Sequence, residues 1–511
     1  MRLINIEKER ELWTEKGYQV YSYDRQAVRE NTLKNPEWVH FGAGNLFRAY
    51  QAVFCDQLLD RGLVNTGIIA VGGRNSENID NYFRPFDDLH IAVTLKSDGQ
   101  IEKRVVGSVM ESLKMEEMDR LREIFRQKSL KVCTFTITEK GYLVGDDEPD
   151  FNTDPSNATS YMGRLASLLF ERYNYGGYPL TLSSHDNCSH NGDVLKAAIM
   201  KFAQAWQSAG FTEYLEKQVS FPIAMIDKIT PRPDKDVKQI LWLDGVEDMD
   251  GLDPAYYMNC FVNAEQAQYL VIEDDFRNGR LPWDKQGVIY TARDTVDKVE
   301  KMKVCTCLNP VHTALAVFGC LLGYTRIWQE MKDEVLVKLV KHVGYDEGLP
   351  VVTDPGIINP KEFLDTVINE RVTNPFMPDA PQRIATDTSQ KIPVRYGETL
   401  KAYQQKGADL SQLTYIPLVL AGWLRYLTGW NDEGKRFELS SDPLLEKLCP
   451  IMKQFDLKEQ VRTEDISQIL RDKTLFGVDL IECNLADKIV GYLNEMLSGK
   501  GMVRKTLEKY C

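Results

Sequence analysis

Residues 38–48 read WVHFGAGNLFR, and this stretch decides the fold of the N-terminal half. WVHF is a short β-prone run, GAGN is the turn after it, and residues 46–59 carry apolar side chains at helical spacing. A second β-prone run follows at residues 67–71. The order strand, turn, helix, strand predicts one βαβ unit.

The turn of this unit has the small residues that a dinucleotide pyrophosphate requires. Gly42 and Gly44 let the backbone approach the phosphates, and the following helix offers free N–H groups and the positive end of its dipole. The third glycine of the usual fingerprint is missing, since Phe47 and Arg48 stand there. Two glycines alone occur about as often in an ordinary tight turn.

The end of the second strand bears on the choice of cofactor. An acidic residue there would bind the ribose 2′-hydroxyl of NAD. The sequence of residues 72–77 is GGRNSE, with Arg74 early and Glu77 late. This pattern is compatible with either NAD or NADP as the cofactor.

The pattern of elements changes near residue 290. Up to that point strands and helices alternate, with further strands predicted at residues 90–95, 105–109 and 180–184 among others, which predicts a largely parallel α/β sheet. From residue 295 onward only helical periodicity is found. We therefore expect an α/β Rossmann-type dinucleotide-binding domain over residues 1–290 and a mainly α-helical substrate-binding and catalytic domain over residues 291–511.

Composition excludes several classes of protein. The 511 residues are 43% hydrophobic and 27% charged, the balance of a soluble globular protein. The net charge of −13 argues against a nucleic-acid partner, which needs clustered Lys and Arg. No apolar run approaches the roughly 20 residues of a membrane helix, and the N-terminus lacks the apolar core of a signal peptide. We expect a cytoplasmic protein without a membrane partner, either a monomer or a small homo-oligomer.

A polar loop, SHDNCSHNG, occupies residues 184–192 after a predicted strand. In an open α/β sheet, ligands bind at this end of the strands. Four side chains suggest a metal: His185, Asp186, Cys188 and His190. Their spacing matches no standard metal site and no HExxH motif occurs, so we expect no metal. We expect instead that the amide of Asn191 contacts a substrate.

Residues 300–312 read EKMKVCTCLNPVH and precede an apolar segment. Lys303 is the candidate acid or base, because burial or a neighbouring cation brings the pKa of an amine toward neutrality. Asn309 and His312 are candidates to hold an oxygen whose charge changes. The alternative interpretation is a helix start, with Asn309 as N-cap, Pro310 in the first turn and a solvated Lys303. A helix N-terminus disfavours imidazolium, so we expect a neutral His312.

Residues 383–395, RIATDTSQKIPVR, concentrate polar groups before a helix breaker. Arg383 and Lys391 stand eight residues apart and are candidates to clamp a carboxylate or hydroxyl groups. The alternative is a salt-bridged surface loop.

Taken in order, these segments resemble the mannitol dehydrogenase family, the long-chain polyol dehydrogenases that include fructuronate and tagaturonate reductases. Residues 225–231, MIDKITP, resemble the family signature Val-Asp-Arg-Ile-x-Pro. The other similar segments are residues 41–48, 136–142, 186–192, 371–375 and 383–393. The resemblance spans roughly residues 36–400.

The resemblance implies a role for each matching residue. Lys303 would be the general acid/base, and two amides would hold the reacting oxygen: Asn191 and Asn309. Three side chains would contact the substrate: His312, Arg383 and Lys391. Two carboxylates would lie near the proton path: Glu139 and Glu300. The dinucleotide would be bound by Gly42, Gly44, Asn45, Arg48 and Arg74.

One spacing departs from the family pattern. The family sets its lysine five residues before the asparagine, whereas Lys303 stands six before Asn309 and Val304 occupies the fifth position. Residues six apart on a continuous helix face about 120° away from each other. A one-residue bulge or a break at Pro310 is therefore needed; otherwise Lys301 is the other candidate base.

The resemblance implies a zinc-independent oxidoreductase that uses NAD, with NADP left open, and interconverts a keto-sugar acid or ketose and its secondary alcohol. The substrate would be a small sugar acid or polyol. Cations at Arg383, Lys391 and Arg395 favour a keto-hexuronate, hence a fructuronate or tagaturonate reductase, with mannitol 2-dehydrogenase as the alternative. A nucleotide-binding sensor that kept the fold and lost the chemistry is a further alternative, supported by the altered spacing.

Overall fold

The structure is a computed structural model and describes residues 1–249 and 258–511. The chain divides into two compact units. Unit 1 comprises Met1–Lys96 and Gln100–Asp297, and unit 2 comprises Ser97–Gly99 and Lys298–Cys511.

The elements follow in chain order. The strands are β1 (Tyr18–Val20), β2 (Trp38–Phe41), β3 (Ile68–Val71), β4 (His90–Leu95), β5 (Ile101–Val106), β6 (Val109–Leu113), β7 (Val132–Phe135), β8 (Leu180–Ser184), β9 (Val219–Ser220), β10 (Ala224–Asp227), β11 (Phe261–Glu265), β12 (Tyr269–Glu273) and β13 (Ile289–Thr291). The α-helices up to the unit boundary are α1 (Ile6–Glu15), α2 (Arg25–Lys34), α3 (Asn45–Ala49), α4 (Gln51–Asp60), α5 (Glu77–Tyr82), α6 (Met118–Arg126), α7 (Tyr161–Tyr175), α8 (Asn191–Ala205), α9 (Ala209–Lys217), α10 (Lys235–Asp244) and α11 (Arg293–Met302).

The remaining helices belong to unit 2. The α-helices are α12 (Asn309–Leu322), α13 (Ile327–Glu330), α14 (Glu334–Lys341), α15 (Pro360–Thr366), α16 (Pro381–Ile384), α17 (Thr388–Ile392), α18 (Glu398–Gln405), α19 (Tyr415–Leu427), α20 (Leu445–Met452), α21 (Ser467–Leu470), α22 (Lys473–Phe476), α23 (Ala486–Leu497) and α24 (Met502–Tyr510). The π-helical turns are π1 (Lys303–Cys307), π2 (His342–Gly348), π3 (Val367–Arg371) and π4 (Pro393–Gly397).

A six-stranded sheet forms the centre of unit 1, in the order β6-β3-β2-β7-β8-β9. Every neighbouring pair is parallel. Counted in chain order within this sheet, the strands run 3-2-1-4-5-6, which is the order of a doubly wound dinucleotide-binding sheet. Strands β2, β3 and β7 are buried at every residue, as expected for a sheet covered on both faces. The predicted Rossmann-type fold is therefore confirmed.

Two smaller sheets complete unit 1, with the orders β1-β5-β4-β11 and β10-β12-β13. The strands predicted at His90–Leu95 and Leu180–Ser184 match β4 and β8. The single strand predicted over residues 105–109 is wrong, because the chain leaves the first small sheet at the end of β5 and enters the large sheet with β6. Gly107 lies at this change of direction, where a Cβ atom would stand only 2.8 Å from the ring of Tyr21.

Unit 2 is helical, which confirms the second half of the predicted fold. Its core contains α12 and α19, both buried along most of their length. Gly422 of α19 lies close to α12, since a Cβ atom there would be 2.6 Å from the ring of Phe318. The helical run Arg293–Leu322 is long and apolar enough to cross a membrane, but 83% of its most apolar window is buried in the protein. It is therefore a core helix.

Candidate active site

The turn after β2 in unit 1 depends on glycine for two separate reasons. Gly42 has φ +98°, a region that L side chains rarely adopt, and a Cβ atom there would stand 2.2 Å from the carbonyl oxygen of Thr136. Its N–H donates to the carbonyl oxygen of Val71 at 2.9 Å, which binds the turn to the end of β3. Gly42 therefore shapes the turn between three neighbouring strand ends.

Gly44 has a different environment. A Cβ atom at Gly44 would meet only the carbonyl oxygen of Gly42, at 3.8 Å, so packing within the protein does not require glycine there. Open space over a partly exposed glycine fits a ligand that approaches the backbone, as a pyrophosphate does. The residues present thus fit a dinucleotide at this turn, and Asn45 begins the short helix α3 beside it.

Arg48 belongs to the short helix α3 that follows this turn. Its guanidinium is fully buried, 5.8 Å from the ring centroid of Phe83, and no described residue accepts a hydrogen bond from it. Burial lowers the pKa of the Arg48 side chain to about 10. A contact between Arg48 and a dinucleotide remains a prediction.

A cleft of about 310 Å³ opens next to the glycine turn within unit 1. Its lining comes from the segments after β3 and β7 and from the start of α7: Gly73, Arg74, Gly141, Leu143, Tyr161 and Arg164 among others. Arg74 donates from Nη2 to the carbonyl oxygen of Lys140 at 2.5 Å. In a doubly wound sheet the adenosine end of a dinucleotide binds beyond these strand ends. Arg74 lies on the wall of this cleft, and its contact with a dinucleotide stays a prediction.

The loop after β7 carries Glu139 and is held by a buried carboxylate. Asp186, 7% exposed, accepts the N–H groups of Ile137 and Thr138, each at 2.9 Å, and the hydroxyl of Tyr142 at 2.6 Å. Burial raises the pKa of Asp186, while these hydrogen bonds lower it. Glu139 itself is exposed.

Asn191 is fully buried at the start of α8 and its amide is fully used. Nδ2 donates to the carbonyl oxygens of Asp186 and Ala224 at 2.9 and 2.8 Å. Oδ1 accepts the N–H groups of Gly192 and Ala224, both at 2.9 Å. The side chain thus joins the loop after β8 to strand β10, and contact with a substrate oxygen would require it to release one carbonyl.

No metal-ligand cluster occurs in residues 1–249 and 258–511: no group of at least three His, Cys, Asp or Glu side chains is placed to hold an ion. The histidines of the 184–192 loop have other contacts. His185 is fully buried, 3.2 Å from Gln51, and His190 lies 3.1 Å from Asp193.

The segment between Lys303 and Asn309, which is one residue longer than in the family pattern, contains the π-helical turn π1. The N–H of Leu308 donates to the carbonyl oxygen of Lys303 at 3.0 Å, a span of five residues. Such a turn accommodates one more residue than an α-helical turn. The departure from α-helix therefore occurs ahead of Pro310, and Pro310 lies in the first turn of α12, where its missing N–H is not needed.

The two candidate bases differ in environment. The side chain of Lys303 is buried in unit 2, with the residue 5% exposed. The side chain of Lys301 is 52% exposed and lies 3.7 Å from Glu398 in an ion pair. The two amines therefore differ in their exposure to solvent, and Lys303 is the enclosed one. Glu300 lies three residues before Lys303, about one helical turn away.

Asn309 is not the N-cap of α12, so the alternative interpretation of this residue is wrong. Asn309 is the first residue of the helix, and the cap position is Leu308, whose side chain has no capping hydrogen bond. The carbonyl oxygen of Asn309 accepts the hydroxyl of Thr313 at 3.0 Å. Within the described part of the chain, the side-chain amide makes no hydrogen bond, which leaves its donors for a ligand.

His312 lies one turn further along α12, in a strongly cationic environment. Its pKa is lowered to about 4, first because the ring is buried and then because of three positive charges: Arg371, Arg395 and Arg383. The carboxylate of Asp379 acts in the opposite direction. The imidazole is thus neutral near pH 7, as expected, although burial is the main cause.

Four side chains of unit 2 form what we call the cationic cluster: Arg371, Arg383, Lys391 and Arg395. The side chain of Arg383 is 67% exposed and forms an ion pair with Asp379. Lys391 is half-buried and donates to the carbonyl oxygens of Ile384, at 3.0 Å, and Thr386. Burial is the main cause that lowers the pKa of Lys391, and the charges of Arg395 and Arg383 add to it.

Arg395 connects this cluster to α12. Its Nη1 donates to the hydroxyl of Thr313 at 2.6 Å and lies 3.5 Å from the carbonyl oxygen of Asn309. Burial lowers the pKa of Arg395 to about 10. The cations therefore lie within unit 2 around the same helix end that carries Asn309 and His312.

Sequence reasoning did not single out Arg371, Asp379 or the bonding role of Asp186. The position of Asp379, four residues before Arg383, is a helical ion-pair spacing and was a usable signal. The bonding role of Asp186 gave no comparable signal, because its partners are distant in sequence and two of them are backbone N–H groups.

Comparison with known proteins relates both units to one family. The pattern of the mannitol dehydrogenase Rossmann domain matches residues 36–285, and that of the mannitol dehydrogenase C-terminal domain matches residues 295–497. A D-mannonate oxidoreductase of Thermotoga maritima is 46% identical, over 98% of this chain and 97% of that protein.

Solved structures agree with these matches. A D-sorbitol dehydrogenase in substrate-free form is 25% identical and superposes with a TM-score of 0.79, covering 95% of this chain and 97% of its own. The mannitol 2-dehydrogenase of Pseudomonas fluorescens, solved with NAD and D-mannitol, is 26% identical with a TM-score of 0.68, covering 96% of each chain.

Proposed function

The chain belongs to the mannitol dehydrogenase family, and from that premise we propose that it is an NAD-dependent fructuronate reductase, which in reverse oxidises D-mannonate. The chain is an oxidoreductase acting on a CH–OH group; the substrate and the cofactor are what we propose. The observation that carries the proposal is the cationic cluster of unit 2, and the similarity to a D-mannonate oxidoreductase supports it.

A sugar acid suits the cationic cluster better than a neutral sugar does. Arg383 and Lys391 offer donors of the kind that bind carboxylates in charge-assisted hydrogen bonds, each contributing about 1.5–3 kcal/mol. Asp379 balances part of this charge. Fructuronate carries a carboxylate that accepts such bonds, and fructose does not. Loss of one such bond would lower kcat/KM for fructuronate roughly 10- to 150-fold.

Lys303 is the proposed general acid in the reductive direction. Its ammonium gives a proton to the ketone oxygen, and the resulting amine takes that proton back when the alcohol is oxidised. NADH, when bound, supplies the hydride. The amide of Asn309 and the neutral ring of His312 donate hydrogen bonds to the same oxygen and stabilise its negative charge. Glu300 and Glu139 are the proposed carriers of protons between Lys303 and solvent.

Asn191 is proposed as the second amide on this oxygen, with one condition. Its Nδ2 donates one hydrogen to the carbonyl oxygen of Asp186 and the other to that of Ala224. One of these two hydrogen bonds must break before the amide can donate to a substrate oxygen. The dinucleotide is proposed to contact Gly42, Gly44, Asn45, Arg48 and Arg74. NAD is favoured because the mannitol 2-dehydrogenase of Pseudomonas fluorescens was solved with NAD bound.

The deciding experiment compares substrates on the purified protein. Oxidation of NADH is followed with D-fructuronate, D-tagaturonate and D-fructose at equal concentrations, and then repeated with NADPH. We expect kcat/KM for fructuronate to exceed that for fructose by at least about tenfold. Equal or faster turnover of fructose would establish the alternative, a mannitol 2-dehydrogenase. Binding of NADH without turnover of any ketone would indicate a sensor.

A further inference from the structure

Thr138 has a backbone conformation that almost only glycine adopts. Its φ of 66° and ψ of 158° lie in a region from which a β-branched side chain is normally excluded. Such a conformation persists only where surrounding contacts impose it. Thr138 is exposed and directly precedes Glu139, so packing of its own side chain does not impose the conformation.

The contacts that impose it come from Asp186. The two oxygens of this carboxylate accept successive backbone N–H groups, those of Ile137 and Thr138. The hydroxyl of Tyr142, at the other end of the same loop, donates to the carboxylate at 2.6 Å and also bonds to Ser184 at 2.8 Å. Both ends of the short segment 137–142 are thus attached to a single buried side chain.

The same segment borders the glycine turn. The hydroxyl of Thr136 donates to the carbonyl oxygen of Gly42 at 2.8 Å, and the N–H of Thr136 donates to the carbonyl oxygen of Phe41 at 2.9 Å. A shift of the backbone at Thr138 therefore acts on the strand ends that carry the proposed dinucleotide site and on Glu139 together.

From these contacts we propose that Asp186 is a positioning residue, which holds Thr138 in its strained conformation so that Glu139 and the 137–142 segment keep the geometry needed for turnover. This role rests on the proposed function, in which Glu139 belongs to the proton path. The strain and its release are properties of unit 1 alone and are measurable without any substrate.

The test is a double-mutant cycle between Asp186→Asn and Thr138→Gly. Asparagine keeps the shape of the side chain but presents an NH₂ group to one of the two N–H donors. We expect Asp186→Asn to lower kcat by roughly 10- to 100-fold, as a small misplacement of catalytic groups does, with a change of less than about threefold in substrate KM. Thr138→Gly alone should leave kcat within about twofold, because glycine adopts this conformation freely.

Rescue distinguishes positioning from general loss of stability. In the Asp186→Asn background, Thr138→Gly should recover about tenfold or more of kcat. It should raise the urea midpoint of unfolding less than it does in the wild type, because the strain that glycine relieves is held in place there by Asp186. Absence of kcat rescue, an equal effect of Thr138→Gly on the urea midpoint in both backgrounds, or full activity of Asp186→Asn would overturn the proposal. If no ketone is turned over at all, the proposed function fails, while the unfolding cycle still decides whether Asp186 holds Thr138.

Asp56 provides the matched control. It is likewise buried in unit 1 and accepts a backbone N–H, from Gly107 at 2.9 Å, and a tyrosine hydroxyl, from Tyr23 at 2.7 Å. It also accepts Nε of Arg104 at 2.7 Å, so its replacement should cost at least as much stability as that of Asp186. Asp56→Asn should lower the unfolding midpoint with kcat within about twofold, and Thr138→Gly should not rescue it. An equal fall of kcat in both variants would mean that loss of stability alone explains the effect of Asp186→Asn.

Discussion

The N–H of Leu308 donates to the carbonyl oxygen of Lys303 at 3.0 Å, five residues back along the chain. A π-helical turn of this kind accommodates one additional residue in the helix. The residues that follow it therefore face the same directions as they would in an α-helix with one residue fewer. The six-residue separation of Lys303 and Asn309 thereby becomes equivalent to the five-residue separation of the family pattern. The bulge considered from the sequence exists, although the break is not at Pro310.

A deletion and an insertion in this turn should have opposite effects. Deletion of Val304, which is less buried than its neighbours in the turn, should convert π1 into an α-helical turn and leave kcat within about tenfold. Insertion of an alanine after Val304 turns the following residues by about 100° and should reduce kcat by more than about 1,000-fold. Steady-state kinetics and circular dichroism are measured on both. Inactivity of a folded deletion variant would contradict the equivalence.

Replacement of Lys303 tests the assignment of the base. Lys303→Ala should lower kcat by about 100- to 10,000-fold, the usual contribution of a positioned acid or base, with the Kd of NADH unchanged in a fluorescence titration. Lys301→Ala is the control, because its side chain is 52% exposed and paired with Glu398. Near-normal turnover in Lys303→Ala together with loss in Lys301→Ala would reverse the assignment.

The fold was predictable wherever local pattern and burial agree. Residues 38–48 predicted the turn after β2, and the bounds of β4 and β8 were predicted to the residue, because buried strands are apolar runs with clear ends. The boundary between β5 and β6 was missed, since the change of sheet at Gly107 depends on contact with Tyr21, distant in sequence.

The site was predictable as a set of residue types but not as a set of contacts. Asn191 and Arg48 were named from the sequence as substrate and cofactor contacts, and these roles stay predictions. Both residues are fully buried, which the sequence did not indicate because burial depends on tertiary packing. The conformation of Thr138 has no sequence signal, because the carboxylate that accepts its N–H belongs to Asp186 on another loop.

The neutral state of His312 should be visible in the pH dependence of stability. Its pKa falls from the usual 6.5 to about 4 in the folded protein. Between these values the unfolded chain binds more protons than the folded one, so stability falls as pH drops from about 6.5 to about 4. His312 contributes about 3 kcal/mol to this loss. His312→Gln should remove that part of the pH dependence in urea unfolding series at pH 7, 5.5 and 4.

Other buried histidines titrate in the same range, so only the difference between wild type and His312→Gln is informative. His185, for example, has its pKa lowered to about 3. Parallel pH curves for the two proteins would show that His312 titrates normally. In activity measurements, the wild type should show no acidic limb near pH 6.5 attributable to His312.

Gly44→Ala should separate cofactor binding from folding. An added Cβ atom meets only the carbonyl oxygen of Gly42 at 3.8 Å, so the unfolding midpoint should not change. If the pyrophosphate lies over this residue, the Kd of NADH should rise by roughly tenfold or more. Gly491→Ala, where a Cβ atom meets nothing within 4 Å, controls for the added methyl group. Unchanged NADH affinity in Gly44→Ala would remove this glycine from the cofactor site.

Charge at Arg383 should matter for sugar acids and not for neutral sugars. Arg383→Met keeps most of the aliphatic side chain and removes the cation that faces Asp379. We expect kcat/KM for fructuronate to fall roughly 10- to 150-fold, through one lost charge-assisted hydrogen bond, and kcat/KM for fructose to change less than about threefold. Arg471→Met is the matched control, since Arg471 is also an exposed arginine of unit 2 paired with an aspartate, Asp479, at 3.2 Å. An equal loss for both sugars would mean that Arg383 binds hydroxyl groups common to them, and the preference for a keto-hexuronate would then have to come from Lys391 or Arg395.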